Sequence, residues 1–143
     1  NPIVWIDFLG LTPSKKSSRS DDPARQKCGT GKWIRHPEKI EHATSYNEAR
    51  RRAIKESRLE GVPTKPFISY MGPDKGKVLG SQSLDGYNHW RIDYDPKSSK
   101  QFHVNWRRIY RDKKGNCVQE TGAYLLPGGQ DSYWYQRERM PKL

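Results

Sequence analysis

Tyr87-Asn88-His89-Trp90-Arg91-Ile92-Asp93-Tyr94-Asp95 and Gln101-Phe102-His103-Val104-Asn105-Trp106-Arg107 are two short runs separated by a Pro/Lys/Ser turn. With a period of two, each run sends aromatic and branched side chains to one side (Trp90, Ile92, Tyr94; Phe102, Val104, Trp106). His, Arg, Asp and Asn go to the other. The pair predicts a β-hairpin with one apolar and one polar face. A connection over Pro96 to Ser99 predicts that paired residue numbers sum to 194–196. An even sum keeps both apolar sets on one side, whereas an odd sum turns one of them to water. Arg91 then faces His103 or Asn105. Opposed side chains lie about 4.5–5.5 Å apart and same-strand neighbours about 6.5–7 Å apart, so His89 and His103 are expected to flank one reacting atom.

Outward from the hairpin, the second strand continues through Trp106 to Tyr110. Asp112 to Asn116 reads as a turn, Cys117 to Leu126 as another strand, and Pro127-Gly128-Gly129 as its end. Phe67 to Met71, a Gly72–Gly76 turn and Lys77 to Leu79 suggest a further hairpin. Ser132 to Arg139 fits either a strand or a helix. Ser45 to Leu59 is a helix: Ser45 and Glu48 form a capping box, Gly61 and Pro63 supply the stop, and Tyr46, Ala49, Ala53 and Ile54 make a narrow apolar stripe. Its Arg50, Arg51, Arg52, Lys55 and Arg58 form a solvated face or a phosphate-binding flank. Trp33 to Pro37 reads as a short strand or turn and Pro37 to His42 as a brief helix. The expected fold is α+β, an N-terminal helix or helices packed on a twisted antiparallel sheet.

The 143 residues fit one domain, and a hydrophobic fraction of 32% makes for a modest core in which five Trp and eight Tyr share the packing. Mean hydropathy is low, at -1.09. A net charge of +11 attracts phosphate backbones, with an anionic membrane or an acidic protein as weaker fits. Cys28 and Cys117 are too few for a disulfide framework and lack zinc spacing; a single bridge and two free thiols both fit. No apolar run is long enough for a membrane span, and no secretory signal opens the chain. Residues 1–30 read as an apolar opening and a solvated linker, and residues 31–143 as one domain.

Cleaving RNA takes a base for the 2′-hydroxyl, an acid for the leaving 5′-oxygen and positive charge around the phosphate. Imidazole, with an unperturbed pKa of about 6.5, suits both proton roles, and Arg grips phosphate oxygens in pairs. His89, His103 and Arg91 are thus candidate catalytic residues, with Asp93 orienting a histidine or holding Arg91. Asn105 is a candidate base or phosphate contact. Arg107, Arg108, Arg111, Lys113 and Lys114 are candidates for the phosphate path. His36 and His42 read as structural. The chemistry needs no cofactor or metal.

Two resemblances bear on context. Asn1-Pro2-Ile3-Val4-Trp5-Ile6-Asp7-Phe8-Leu9-Gly10-Leu11 resembles the end of the shell-forming core of Rhs-family polymorphic toxins, with Phe8 in place of the usual Pro. That implies a secreted antibacterial effector: a C-terminal toxin released after Leu11 from a parent Rhs shell, carried by a secretion system, acting in the target-cell cytoplasm and neutralised by a cognate immunity protein. Arg91-Ile92-Asp93-Tyr94-Asp95 followed by His103-Val104-Asn105 resembles toxin domains of the barnase, EndoU, colicin and RelE group of metal-independent ribonucleases. That implies an active sheet face acting on tRNA, ribosomal RNA or messenger RNA, as a monomer. Competing readings are a metal-dependent DNase, an NAD-dependent ADP-ribosyltransferase built on Arg35 or His89, Tyr110 and Glu120 or Glu138, and a non-catalytic basic RNA-binding module.

Overall fold

The computed structural model describes residues 32–70 and 72–140. The opening segment, the linker, Cys28 and the final residues 141–143, with the expectations placed on them, lie outside these. Among the described residues seven strands form one sheet: β1 (Trp33–Arg35), β2 (Lys39–His42), β3 (Thr64–Ile68), β4 (Val78–Ser83), β5 (His89–Asp95), β6 (Gln101–Arg111) and β7 (Cys117–Leu125). Two helices accompany it, α1 (Tyr46–Glu56) and α2 (Gln130–Glu138).

The central hairpin pairs His89 with Arg107, Trp90 with Trp106, Arg91 with Asn105 and Asp93 with His103. Every pair sums to 196, as the alternation requires. Ile92 and Val104 are fully buried and Trp90, Phe102 and Trp106 nearly so; each such side chain contributes about 1.5–3 kcal/mol over its exposed state. On this side α1 lays Ala49 and Ala53, both fully buried, against the sheet. Ser45 caps α1 by accepting from the Glu48 N–H at 3.1 Å, while Glu48 reaches back to the Thr44 N–H at 2.7 Å. Helix α2 packs on the same side through Tyr133, whose ring stacks on Tyr94 and meets Phe102 edge-on.

Three expectations need correction. The sheet is mixed rather than antiparallel: β1 and β2 both add to the outer edge of β7 in parallel, Trp33 to Arg35 along Cys117 to Gln119 and Lys39 to His42 along Gly122 to Leu125. Pro37 to His42 is therefore partly strand, not helix. Six residues are too few to hold a helix alone, and Pro37 biases His36 toward extended backbone, whereas the open edge of β7 offers hydrogen bonds. Nor are the helices N-terminal: α1 lies between β2 and β3, and α2 follows β7 and settles the ambiguous tail as a helix. Cys117 is fully buried and disulfide-bonded, beside Tyr87, Ile109 and Trp33 in a small second cluster.

At the opposite edge, the β3–β4 hairpin holds the cleft side of the sheet. β3 carries Pro66, tolerated because an edge strand owes no hydrogen bond outward. β4 follows β5 only from Gln82, opposite His89, to Gly80, opposite Arg91. Gly80 sits so close that a Cβ would run into the backbone of Trp90 and Arg91. Beyond Arg91, β5 has no β4 partner, and the sheet opens into a cleft.

Candidate functional site

His89, Arg91, Asp93, His103, Asn105 and Arg107 all project from the face opposite α1, as alternation demands. The register also separates them. His103 pairs with Asp93, and His89 lies two pleat repeats away beside Arg107, about 13–14 Å from His103 at the backbone. The expectation that both histidines flank one atom is corrected: an intervening guanidinium and carboxylate link them. Arg91 Nη1 donates to His89 Nε2 at 2.8 Å, Arg91 Nη2 stands 3.9 Å from Asp93 Oδ2, and His103 Nε2 lies 3.7 Å from that same oxygen. Asn105 Nδ2 donates to Asp93 Oδ2 at 3.3 Å, and the Tyr94 N–H donates to Asp93 Oδ1 at 2.8 Å.

Each imidazole has its state set by these partners. His89 is buried, and burial together with the Arg107 and Arg91 charges holds its pKa well below the usual value. It is neutral near pH 7, with Nε2 accepting from Arg91 and the proton on Nδ1. His103 is 2% exposed and donates Nδ1–H to the Gln101 carbonyl at 2.7 Å, leaving the Nε2 lone pair toward Asp93. Burial lowers its pKa, against the Gln101 hydrogen bond and the Asp93 charge, which raise it. Asp93 is the open member of the pair, its side chain 41% exposed beside an almost sealed imidazole.

This polar string forms the meeting line of two hollows. The larger, about 880 Å³, lies between the β3–β4 hairpin, β5 and α2, with Phe67, Tyr70, Tyr94, Tyr133 and Trp134 among its walls. The smaller, about 340 Å³, lies over β6 and β7 and is lined by Asn105, Gln119, Thr121, Glu38 and Lys100. His89, Arg91, Asp93 and Arg107 border both. Asp74, at the tip of the β3–β4 hairpin, closes the larger hollow by accepting from Tyr133 Oη and Arg137 Nε on α2. Phe67 sits under the site, its ring 4.8 Å from the His89 ring and 5.3 Å from the Arg91 guanidinium carbon.

The remaining candidates scatter. Arg107 lies at the site, donating to the Tyr87 and Gly86 carbonyls at 3.0 and 3.1 Å. Arg108 points to the opposite face, where it bridges Glu120 and Glu56 at 2.5 and 2.8 Å and ties α1 to the sheet. Arg111 ends β6 and Lys113 and Lys114 belong to the β6–β7 turn, where Arg111 donates to the Gly115 carbonyl. Arg111 is about 20 Å along β6 from Asn105, so these three do not line the cleft. His36 lies between β1 and β2 and donates its N–H to the Gln119 carbonyl, and His42 is the last residue of β2, opposite Leu125. Of the proposed transferase set, Glu120 faces away from His89 and is held by Arg108. Sequence reading missed the aromatic walls and the Gln119/Thr121 pair. Alternation along β7 could have placed Gln119 and Thr121, but no local signal announces that a distant hairpin and α2 enclose one cleft. Among the described residues no group of three or more His, Cys, Asp or Glu side chains is arranged to hold a metal ion, and no helix is long and apolar enough to cross a membrane. No protein-family model matches this chain, and no curated protein matches it either.

Proposed function

We propose that this chain is a metal-independent endoribonuclease, the toxic C-terminal part of a secreted antibacterial effector acting on RNA in the target-cell cytoplasm. The observation that carries the reading is the meeting of Arg91, Arg107 and an open Asp93, backed by His103, on the floor of an aromatic-walled cleft in a chain of net charge +11. Arg91 and Arg107 take the phosphate oxygens of one RNA linkage. Asp93 accepts the proton of the adjacent 2′-hydroxyl and shares it with His103 Nε2, whose other nitrogen is pinned by the Gln101 carbonyl. The 2′-oxygen attacks the phosphorus and the 5′-oxygen leaves toward the open side of the cleft, where solvent supplies its proton. His89 positions Arg91. A cognate immunity protein with an acidic surface blocks such a cleft by charge complementarity, and an Rhs shell carries the domain until release.

Incubation with purified tRNA and total RNA in EDTA tests this. Cleavage is expected without metal. Cleavage that disappears in EDTA points to a metal-dependent nuclease, and RNA left intact with or without metal overturns the ribonuclease reading in favour of a transferase or a binding module.

A further inference from the structure

Two unlike hollows on either side of one guanidinium define more than an RNA surface. The larger one has aromatic rings at its mouth: Tyr70 is 74% and Trp134 39% exposed. Exposed flat rings beside cationic groups stack unpaired bases, whatever the base. The smaller hollow is polar. Gln119 and Thr121 rise from β7 on the face of Asn105 and Arg107, the Thr121 position pairing directly with Arg107. No described residue hydrogen-bonds either side chain, and the Asn105 carbonyl oxygen is likewise uncommitted while its amide holds Asp93. An amide offers donor and acceptor together, as a base edge does. The Glu38–Lys100 ion pair, at 3.1 Å, fences the outer rim.

We propose that the site binds single-stranded RNA as one unstacked dinucleotide step: one base stacks on Trp134 and Tyr70, the next is read in the polar hollow by Gln119, Thr121 and Asn105, and their shared phosphate lies on Arg91 and Arg107. The proposal rests on the RNA reading of this same site and adds where each base goes. Bases held in hollows on opposite sides of the phosphate cannot stack on each other. An A-form duplex, whose bases stay stacked, is therefore excluded, and loops or ends are selected.

Titrating the full chain with 2′-O-methyl dinucleotides, which lack the attacking hydroxyl, reads binding apart from cleavage. Replacing either base with an abasic sugar is expected to weaken binding about tenfold or more. Trp134→Ala or Tyr70→Ala removes the dependence on one base, and Gln119→Ala flattens the preference among the four bases at the other. Both tyrosine and tryptophan positions are exposed, so these variants keep the fold. A mononucleotide that binds as tightly as the dinucleotide, or variants that leave the affinity and base preference unchanged, overturns the proposal. If the dinucleotide binds in this pattern but RNA is never cut, the ribonuclease reading fails and the two-base site stands. If RNA is cut while either base is dispensable, the outcome is reversed.

Discussion

Gln101 adopts a left-handed backbone, φ 50°, and so turns its carbonyl onto His103 Nδ1 at 2.7 Å. A non-glycine residue in that region costs of order 1 kcal/mol, stored next to the one imidazole that shares a carboxylate opening on the cleft. The hydrogen bond fixes the proton on Nδ1, which leaves Nε2 to take a proton from Asp93. Asp93→Asn keeps the shape and removes the acceptor, so RNA cleavage is expected to fall at least ~100-fold while the melting transition stays close to that of the parent, measured on a labelled RNA and by thermal unfolding. The two histidines also predict how stability depends on pH. Both are depressed in the fold, by burial first. The unfolded chain takes up protons near pH 6.5, where the folded chain does not, so their contribution is complete above about 6.5 and is lost as pH falls below it. Urea midpoints should drop between pH 7.5 and 5.5, and His89→Gln should flatten that drop; an unchanged slope in the variant contradicts a buried neutral His89.

At the scale of elements, the sheet depends on close approaches that side-chain chemistry alone does not announce. Gly122 of β7 lies beneath the Trp106 indole, and a Cβ there would land inside the ring. Gly122→Ala is expected to cost about 1–3 kcal/mol in denaturant unfolding, since the indole has no free space to move into. The Asp74 contact with Tyr133 and Arg137 ties the β3–β4 hairpin to α2. Asp74→Ala should speed amide exchange at residues 72–77 while leaving β6 protected, and equal protection in both segments of the variant would show that the latch holds nothing. These elements differ in how legible they were. The β5–β6 register and the cap and buried stripe of α1 followed from spacing because the forces that set them are local. The parallel strands β1 and β2 did not, because their partner β7 is some 80 positions away and short segments such as Lys39–His42 take their shape from the edge they join. Arg108 was legible and misread: alternation from Trp106 puts it on the α1 side, where Glu56 and Glu120 bind it.

For the whole molecule, charge and covalent closure act on a single sheet. The cations of α1 and of the turn after it lie behind the sheet, and several are occupied: Arg50 over Trp90, Arg52 over Tyr124 and on Glu41, and, past the helix end, Arg58 over Tyr110. Charge reversal of the exposed Arg51 and Lys55 should therefore lower the salt sensitivity of RNA binding only slightly and leave cleavage intact, whereas Arg91→Ala should abolish cleavage, as read in parallel assays over a salt series. The disulfide of Cys117 ends in the small cluster of Tyr87, Ile109 and Trp33, and reducing it should lower unfolding stability by about 2–4 kcal/mol. Cleavage at this site depends on Asp93 drawing a proton from a ribose hydroxyl at the cleft floor. Its most direct test places an RNA strand and its fully 2′-O-methylated copy with the protein in EDTA. The first is expected to be cut, the second to stay intact, and Asp93→Asn to spare both; cleavage of the methylated strand, or full activity in Asp93→Asn, would rule out Asp93 as the base.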